Sequence, residues 1–257
     1  EAFRAMYDPA KLTLRPNVPK QVEESSRKDL AGYYAHCSAL DQRVGELRKT
    51  LEETGIDKDT IFVFTSDHGD MLGSQGEMRK QRPWDESIRV PFLIRYPEGL
   101  GAQARSDALL INSPDIMPTL LGLCGIDVPR TVEGTDFSAV LRGQSAKRPE
   151  GALIACYHPF GEWTRPKGGR EYRGLRTERY TYVRALDGPW LLYDNETDPY
   201  QLKNRCGDAE MASVQKHLEA LLSRTLRDVG DDFLPGDAYV RRWNYPTDKN
   251  GTVPYAP

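Results

Sequence analysis

An uninterrupted apolar run leads directly into a cluster of polar side chains in the stretch Ile61-Phe-Val-Phe-Thr-Ser-Asp-His-Gly-Asp70. Such a run indicates a strand that is covered on both faces, as in a parallel sheet flanked by helices. Ligands of these open sheets bind beyond the carboxyl ends of the strands. We therefore predict that this strand delivers Asp67 and His68 to a binding site. The alternative is a structural turn in which Asp67 caps the segment that follows.

The residues around this run predict alternating helices and strands. Apolar residues at spacings of three and four predict a long helix that ends at Gly55. The members of this apolar face are Leu30, Tyr33, Tyr34, Cys37, Leu40, Val44, Leu47 and Leu51. Strands are predicted at 61–64 and 90–95, and another helix is predicted to begin at a Ser113 cap and to end at Gly125. This alternation is typical of an α/β layer architecture.

The character of the sequence changes beyond about residue 145. Short segments separated by turn residues predict an antiparallel sheet. These segments are 152–157, 172–176, 181–184 and 190–193. A helix from about Glu210 to Val229 is predicted next, and the tail after Asp232, rich in Pro, Tyr and Gly, is predicted to be an irregular strap on the surface. We therefore divide the chain into an α/β part at 1–145 and a small α+β part at 146–257.

Composition argues against two classes of partner. A chain of 257 residues can bury a substantial core, as one large unit or as two subdomains. Its 35 basic and 38 acidic residues give a net charge of −3, so there is no electrostatic case for a nucleic-acid partner. No stretch of about 18 apolar residues occurs, so no membrane span is predicted.

A series of short elements resembles, in its order, the second half of the sulfatases, within the alkaline-phosphatase-like superfamily of metal-dependent hydrolases. The elements are Ser66 to Gly69, Gly73 to Gly76, Lys80, Glu86 to Pro91, and Leu192-Tyr-Asp-Asn-Glu-Thr-Asp-Pro199. The resemblance extends from about Met6 to about Phe233. It implies an α/β sandwich of helices around a mainly parallel sheet, with a small carboxyl-terminal antiparallel sheet packed on a helix.

One element of that family is absent from this sequence. Sulfatases carry their nucleophile near the amino terminus in a Cys-x-Pro-Ser-Arg or Ser-x-Pro-Ser-Arg element, whose first residue is oxidised to formylglycine. No cysteine here is followed by x-Pro-Ser-Arg, the upstream aspartate pair of the metal site is missing too, and the chain begins at Glu1 without Met. We therefore expect a carboxyl-terminal portion with half of an active site. Formylglycine and the amino-terminal half of the same enzyme are expected outside this chain.

The resemblance implies metal-binding roles at the end of the predicted strand. Asp67 and His68 match the second pair of metal ligands of the family. A cation there neutralises the tetrahedral anion and lowers the cost of charge on the attacking oxygen. Most sulfatases hold calcium, so Ca²⁺ is expected, although an imidazole is better suited to Mn²⁺ or another divalent ion. The alternative role for His68 is a hydrogen bond to the anion.

Two further residues are predicted to contact the substrate. Lys80 occupies the place of a family lysine that contacts the sulfate and its leaving oxygen, and a compact ammonium charge suits that role. The alternatives are a solvated loop lysine, or Arg79 in the same role if the register slips by one residue. His158 is predicted as a substrate contact, with a packing or surface role as its alternative.

Three functions remain open from the sequence. The leading one is a sulfuric-ester hydrolase that acts on a small-molecule or carbohydrate sulfate ester. The second is a phosphodiesterase or phosphonate monoester hydrolase of the same superfamily, and the third is an inactive carboxyl-terminal module. With two metal ligands and no nucleophile, the isolated chain is expected to show no esterase turnover.

Overall fold

The computed structural model describes residues 1–248, which form two compact units. The first unit comprises Glu1–Lys80 and Arg89–Arg148, and the second comprises Gln81–Ile88 and the chain from Pro149 onward. The helices are α1 (Glu23–Glu53), α2 (Asp85–Ile88), α3 (Pro97–Leu100), α4 (Ser113–Leu123), α5 (Ser138–Leu141), α6 (Ala212–Asp228) and α7 (Gly236–Arg242). The strands are β1 (Phe62–Thr65), β2 (Phe92–Arg95), β3 (Ala152–Cys156), β4 (Tyr172–Arg176), β5 (Tyr180–Ala185) and β6 (Gly188–Asp194). None of the helices in this described range has the length and apolar composition needed to cross a bilayer.

Helix α1 confirms the predicted long helix and its stop. Gly55 adopts φ +74°, and the N–H of Ile56 donates to the carbonyl of Leu51, which satisfies the last turn. The face that is buried in the first unit carries small residues, Ser26, Ala31 and Ala35. The predicted apolar face is instead largely exposed in the described chain. Its exposed members include Tyr33 (46%), Tyr34 (39%), Leu40 (50%) and Leu47 (58%).

The N-cap of helix α4 lies one residue earlier than predicted. Asn112, and not Ser113, is the N-cap, and its side chain accepts from the N–H of Ser113 at 2.8 Å. The N–H of Asn112 in turn donates to Asp115 at 2.8 Å, which completes a capping box. Asn and Ser are comparable N-caps. The reciprocal partner at Asp115 decides between them, because it lies three residues after Asn112.

The strands of the first unit pair antiparallel, so the expected mainly parallel sheet is not found among the described residues. Val63 is opposite Ile94, and Phe64 is opposite Leu93, in a two-stranded sheet. The prediction failed because an apolar run reports burial on two faces and not the direction of the partner strand. An antiparallel pair is common even in mixed sheets of α/β proteins. The α/β class itself is confirmed.

The second unit confirms the small antiparallel sheet packed on a helix. Strands β3, β4, β5 and β6 lie in sequential order, and each pairs antiparallel with the next. One face of the sheet packs on α6, and that core is formed by Leu175, Tyr182, Leu192, Leu218, Leu221, Leu222 and Leu226. A second cluster contains Cys156, Trp163, Tyr172, Val183, Leu191 and Tyr193. Apolar side chains are thus buried in two separate clusters within this unit.

The segment after Asp232 is not the irregular strap that was predicted, because it contains helix α7. Pro235 precedes the helix as its N-cap residue with φ −56°, a value that suits a helix start. Gly236 lies against the loop after β3, where a Cβ atom would come within 2.6 Å of the carbonyl oxygen of Tyr157. The Pro, Tyr and Gly content of this segment therefore did not indicate helix α7. The last part of the predicted strap, 249–257, lies outside the described residues.

Candidate active site

A tight turn at the end of β1 presents Asp67 and His68. The hydroxyl of Ser66 donates to the carbonyl of His68 at 2.9 Å, and the N–H of His68 donates to Asp67 Oδ1 at 2.9 Å. The side chains of Asp67 and His68 are 81% and 41% exposed. The hydrogen bond from the N–H of His68 to Asp67 is the one expected if Asp67 only caps a structural turn. Both side chains nevertheless remain accessible to a ligand.

The hydrogen bonds of this turn also set the chemical state of the pair. The N–H of His68 is the main cause that holds the pKa of Asp67 below its usual range, so the carboxylate is ionised at neutral pH. His68 Nδ1 lies 2.8 Å from the carbonyl oxygen of Gly69. Because a carbonyl can only accept, a hydrogen bond here requires the proton on Nδ1, and a neutral imidazole in that tautomer has its lone pair on Nε2. Nε2 lies 3.4 Å from Asp67 Oδ2.

The donor set of this turn fits a divalent cation. A carboxylate oxygen and an imidazole nitrogen face each other across 3.4 Å, and the second ring nitrogen is fixed by a backbone carbonyl. Metal-bound histidines commonly have such a fixed second nitrogen. Within residues 1–248, no three or more His, Cys, Asp or Glu side chains converge on a common metal position.

The loop after this turn has an unusual backbone. Leu72, Gln75 and Arg79 adopt positive φ angles of 46°, 58° and 65°, a region that non-glycine residues rarely occupy. Gly73 packs against α1 so closely that a Cβ atom would overlap the hydroxyl of Ser26. Strained backbone of this kind persists where surrounding contacts enforce it, and it is concentrated at functional sites.

Asp70 ties the two ends of this loop together. Its Oδ1 accepts from the N–H of Leu72 at 3.0 Å and from the N–H of Arg79 at 3.1 Å. The N–H of Met71 donates to the carbonyl of Arg79 at 2.9 Å. These bonds hold the backbone of Arg79, which immediately precedes Lys80, beside Asp70, which lies two positions after His68. Sequence reasoning missed Asp70, although an aspartate two residues before a loop N–H is a known turn signal.

His158 belongs to the second unit, where it joins the loop after β3 to α7. Its Nε2 lies 3.0 Å from Asp237 Oδ1, and its Nδ1 lies 3.2 Å from the carbonyl oxygen of Pro159. Arg165 also contacts Asp237, at 3.4 Å. Both ring nitrogens of His158 thus face acceptors, so a substrate contact would require one of these bonds to be exchanged. The predicted substrate contact stays a prediction.

Comparisons with known proteins define the class of this chain. The family described as N-sulphoglucosamine sulphohydrolase, C-terminal, matches residues 73–228, and the family described as Sulfatase matches residues 7–126. A relative from Formosa agariphila, an "Ulvan-active sulfatase", is 41% identical over 99% of this chain and 50% of its own length. The chain therefore belongs to the sulfatase family, within the alkaline-phosphatase-like fold.

Solved structures share the fold. One was determined in complex with its substrate D-glucosamine-2-N,6-O-disulfate, and it matches with a TM-score of 0.74, 30% identity, 84% of this chain and 44% of that one. A phosphonate monoester hydrolase from Agrobacterium radiobacter matches with a TM-score of 0.67, 27% identity, 91% of this chain and 47% of that one. The chain spans about half the length of the relatives that it matches.

Proposed function

We propose that this chain carries part of the active site of a sulfuric-ester hydrolase that acts on sulfated carbohydrates. The observation that carries the proposal is the pair of acceptor atoms, His68 Nε2 and Asp67 Oδ2, that face each other 3.4 Å apart at the end of β1. Oxygen and nitrogen acceptors at this separation suit the joint binding of one divalent cation. Membership of the family supports sulfate as the group removed, and the disulfated sugar bound by a structural neighbour supports a carbohydrate ester.

The chain's own residues take distinct roles in this proposal. A divalent cation, Ca²⁺ or Mn²⁺, would supply positive charge next to the sulfate. Asp67 would hold the cation through Oδ2, because its low pKa keeps the carboxylate charged. His68 would hold it through Nε2, or else form a hydrogen bond to the sulfate. Lys80 would stabilise the negative charge that gathers on the leaving oxygen as the S–O bond breaks.

We further propose that the nucleophile, a formylglycine, belongs to an amino-terminal half of the same enzyme. Relatives of about twice this length support that arrangement. The exposed apolar face of α1 supports it as well, since Tyr33, Leu40 and Leu47 are each 46–58% exposed in the described chain. Contiguous exposed apolar residues of this kind mark interaction surfaces. In this arrangement the remaining metal ligands also come from that half.

A metal titration tests the ligand pair directly. We expect the purified chain to bind Mn²⁺ weakly, as measured by electron paramagnetic resonance of the free ion, and both Asp67→Asn and His68→Gln to abolish that binding. The matched control is Asp127→Asn, at an exposed aspartate whose side chain makes no hydrogen bond or ion pair within the described residues 1–248. Unchanged Mn²⁺ binding in Asp67→Asn would refute the ligand assignment. Loss in Asp67→Asn alone would favour the alternative in which His68 contacts the sulfate.

An activity assay tests the reaction. The coding sequence upstream of Glu1 is determined, and the joined enzyme is assayed for sulfate release from D-glucosamine-2-N,6-O-disulfate and from aryl sulfates. We expect turnover that Lys80→Ala lowers by at least about a hundredfold, a typical loss for a group that stabilises developing charge. The chain alone should show none. Sulfate release by the chain alone, abolished by Asp67→Ala, would overturn the assignment of the nucleophile to another segment.

A second candidate is a phosphonate monoester hydrolase. The structural match to such an enzyme from Agrobacterium radiobacter, at a TM-score of 0.67, is the observation that favours it. Paired aryl sulfate and aryl phosphonate esters with the same leaving group separate the two candidates. Higher kcat/KM for the phosphonate would favour this alternative.

A further inference from the structure

Lys80 lies between two residues with left-handed backbones. Arg79 adopts φ 65° and Gln81 adopts φ 73°, in a region that residues with side chains rarely occupy. Such conformations persist only where surrounding contacts enforce them, and they are concentrated at functional sites. Asp70 accounts for Arg79, because its carboxylate accepts from the N–H of that residue at 3.1 Å. A different set of contacts must enforce the left-handed backbone of Gln81.

Gln81 is held through its side chain and through its backbone. Its Nε2 donates to the carbonyl of Phe160 at 3.1 Å, and the N–H of Phe160 donates to its Oε1 at 3.3 Å. The carbonyl of Gln81 accepts from the hydroxyl of Tyr172 at 3.2 Å, and Tyr172 is only 2% exposed. Because both amide bonds go to one residue, a change in the side-chain torsions of Gln81 breaks them together. These contacts hold Gln81 in one conformation.

The residues that follow Gln81 are anchored as well. The segment Gln81–Ile88 belongs to the second unit, although it is distant in sequence from the rest of that unit. Asp85 accepts from Arg176 through two bonds of 2.9 and 3.0 Å, and the N–H of Asp85 donates to Gln201 at 3.0 Å. The side chains of Arg176 and Asp85 are 14% and 13% exposed, so solvent screens this ion pair weakly. Gln81 is therefore not displaced by movement of the segment that it begins.

We propose that Gln81 is a positioning residue that fixes the backbone from which Lys80 reaches the leaving oxygen of the ester. A lysine ammonium is carried on a flexible four-carbon stem, so its location depends on how well the backbone that bears it is defined. A charge stabilises a transition state best when it is already held where negative charge develops. This inference rests on the proposed function, and it adds a residue that acts through Lys80 and does not touch the substrate.

A double-mutant cycle in the joined enzyme tests this role. We expect Gln81→Ala to lower kcat and kcat/KM for aryl sulfates by the same factor, about tenfold, because a misplaced charge loses an interaction made only in the transition state. In the Lys80→Ala background the same change should have no further effect, since Gln81 acts only through Lys80. Gln81→Gly adopts φ 73° without strain but lacks the amide, so it should resemble Gln81→Ala.

The dependence on the leaving group separates positioning from a general loss of structure. Displacement of Lys80 should cost more for poor leaving groups, because these carry more negative charge on the leaving oxygen. Plots of log kcat/KM against the pKa of the leaving phenol should therefore be steeper in Gln81→Ala, as in Lys80→Ala. Circular dichroism and Mn²⁺ binding of the purified chain should be unchanged in Gln81→Ala. The matched control is Gln103→Ala, at an exposed glutamine whose side chain makes no hydrogen bond or ion pair within the described residues 1–248, and it should retain kcat.

The outcomes distinguish this inference from the proposed function. Absence of turnover in the wild-type joined enzyme, or unimpaired turnover in Lys80→Ala, would overturn both. Low turnover in Lys80→Ala together with wild-type turnover in Gln81→Ala or Gln81→Gly would overturn the inference alone. A tenfold loss that persists in the Lys80→Ala background would also overturn the inference alone, because Gln81 would then act by another route.

Discussion

Replacing Asp70 by alanine should release the loop that leads to Lys80. The carboxylate accepts two backbone N–H groups, those of Leu72 and Arg79, at 3.0 and 3.1 Å. A net contribution of about 0.5–1.5 kcal/mol for each bond gives about 1–3 kcal/mol for the pair. Solvent exposure at Arg79 favours the lower half of that range.

The positive φ angles of the loop act in the same direction. Leu72 and Arg79, whose N–H groups bond to Asp70, both have left-handed backbones. Left-handed backbone at a non-glycine residue costs about 1–3 kcal/mol and persists only while other contacts enforce it. Removal of the carboxylate should therefore let the loop relax to other conformations. The Asp70→Asn variant keeps one acceptor oxygen and should lie between wild type and Asp70→Ala.

Amide hydrogen exchange of the purified chain measures this effect. A loss of about 1.4 kcal/mol corresponds to exchange about tenfold faster at the amides of Leu72 and Arg79. Amides in β5 should exchange at unchanged rates, and the Asp127→Ala control should resemble wild type throughout. If the amides of Leu72 and Arg79 are as protected in Asp70→Ala as in wild type, then Asp70 does not organise this loop, and the reasoning is wrong.

Three further predictions concern stability and assembly. Arg173→Ala should lower the free energy of unfolding of the second unit by about 3–5 kcal/mol in urea denaturation, because it leaves the carboxylate of Asp231 buried without its ion pair; a loss below 1 kcal/mol would contradict this. Burial raises the pKa of Asp231, but hydrogen bonds from Arg173 and Tyr239 outweigh it and hold that pKa below the usual range. The stabilisation by the Asp231 carboxylate is therefore present above the unfolded pKa of about 4 and is lost as the pH falls through the folded value. Near-UV circular dichroism should show acid unfolding below about pH 4. This dependence of unfolding on pH should be weaker in Asp231→Asn. Leu40→Glu, at a half-exposed position of α1, should change the unfolding free energy of the isolated chain by less than about 0.5 kcal/mol and yet weaken association with the amino-terminal half in a pull-down assay; unimpaired association would exclude this face of α1 as the contact surface.

Local signals in the sequence predicted most of the elements. The ends of α1 at Gly55 and of α4 near Gly125 depend on positive φ angles that glycine adopts without strain. They can therefore be predicted from residue type alone. The four strands of the second unit alternate with turn residues, which is again a local pattern. The direction of β2 relative to β1 could not be predicted from such local signals. It depends on the path of the intervening chain, which no local pattern encodes.

The candidate site could be predicted only at the level of residue type. The order Asp67-His68-Gly69 suggested metal ligands, but the orientation of the His68 ring depends on a rotamer that brings Nδ1 to the carbonyl of Gly69. The role of Asp70 depends on a loop that returns to it nine residues later. The helix α7 was missed because Pro, Tyr and Gly dominate its surroundings. Its Tyr239 is buried and donates a hydrogen bond to the carboxylate of Asp231, a contact between distant positions that no local pattern encodes.

The exposed apolar residues of the first unit bear on the proposed metal binding. This unit leaves Leu40 and Leu47 of α1 and Leu93 of β2 50–63% exposed. Leu93 lies opposite Phe64 in β1, the strand that leads to Asp67 and His68. A partner that covers Leu93 would also restrict this strand, so the affinity of the proposed site for a metal and the assembly with the partner should be coupled. Each should then strengthen the other by the same factor, because coupling between two binding equilibria is reciprocal.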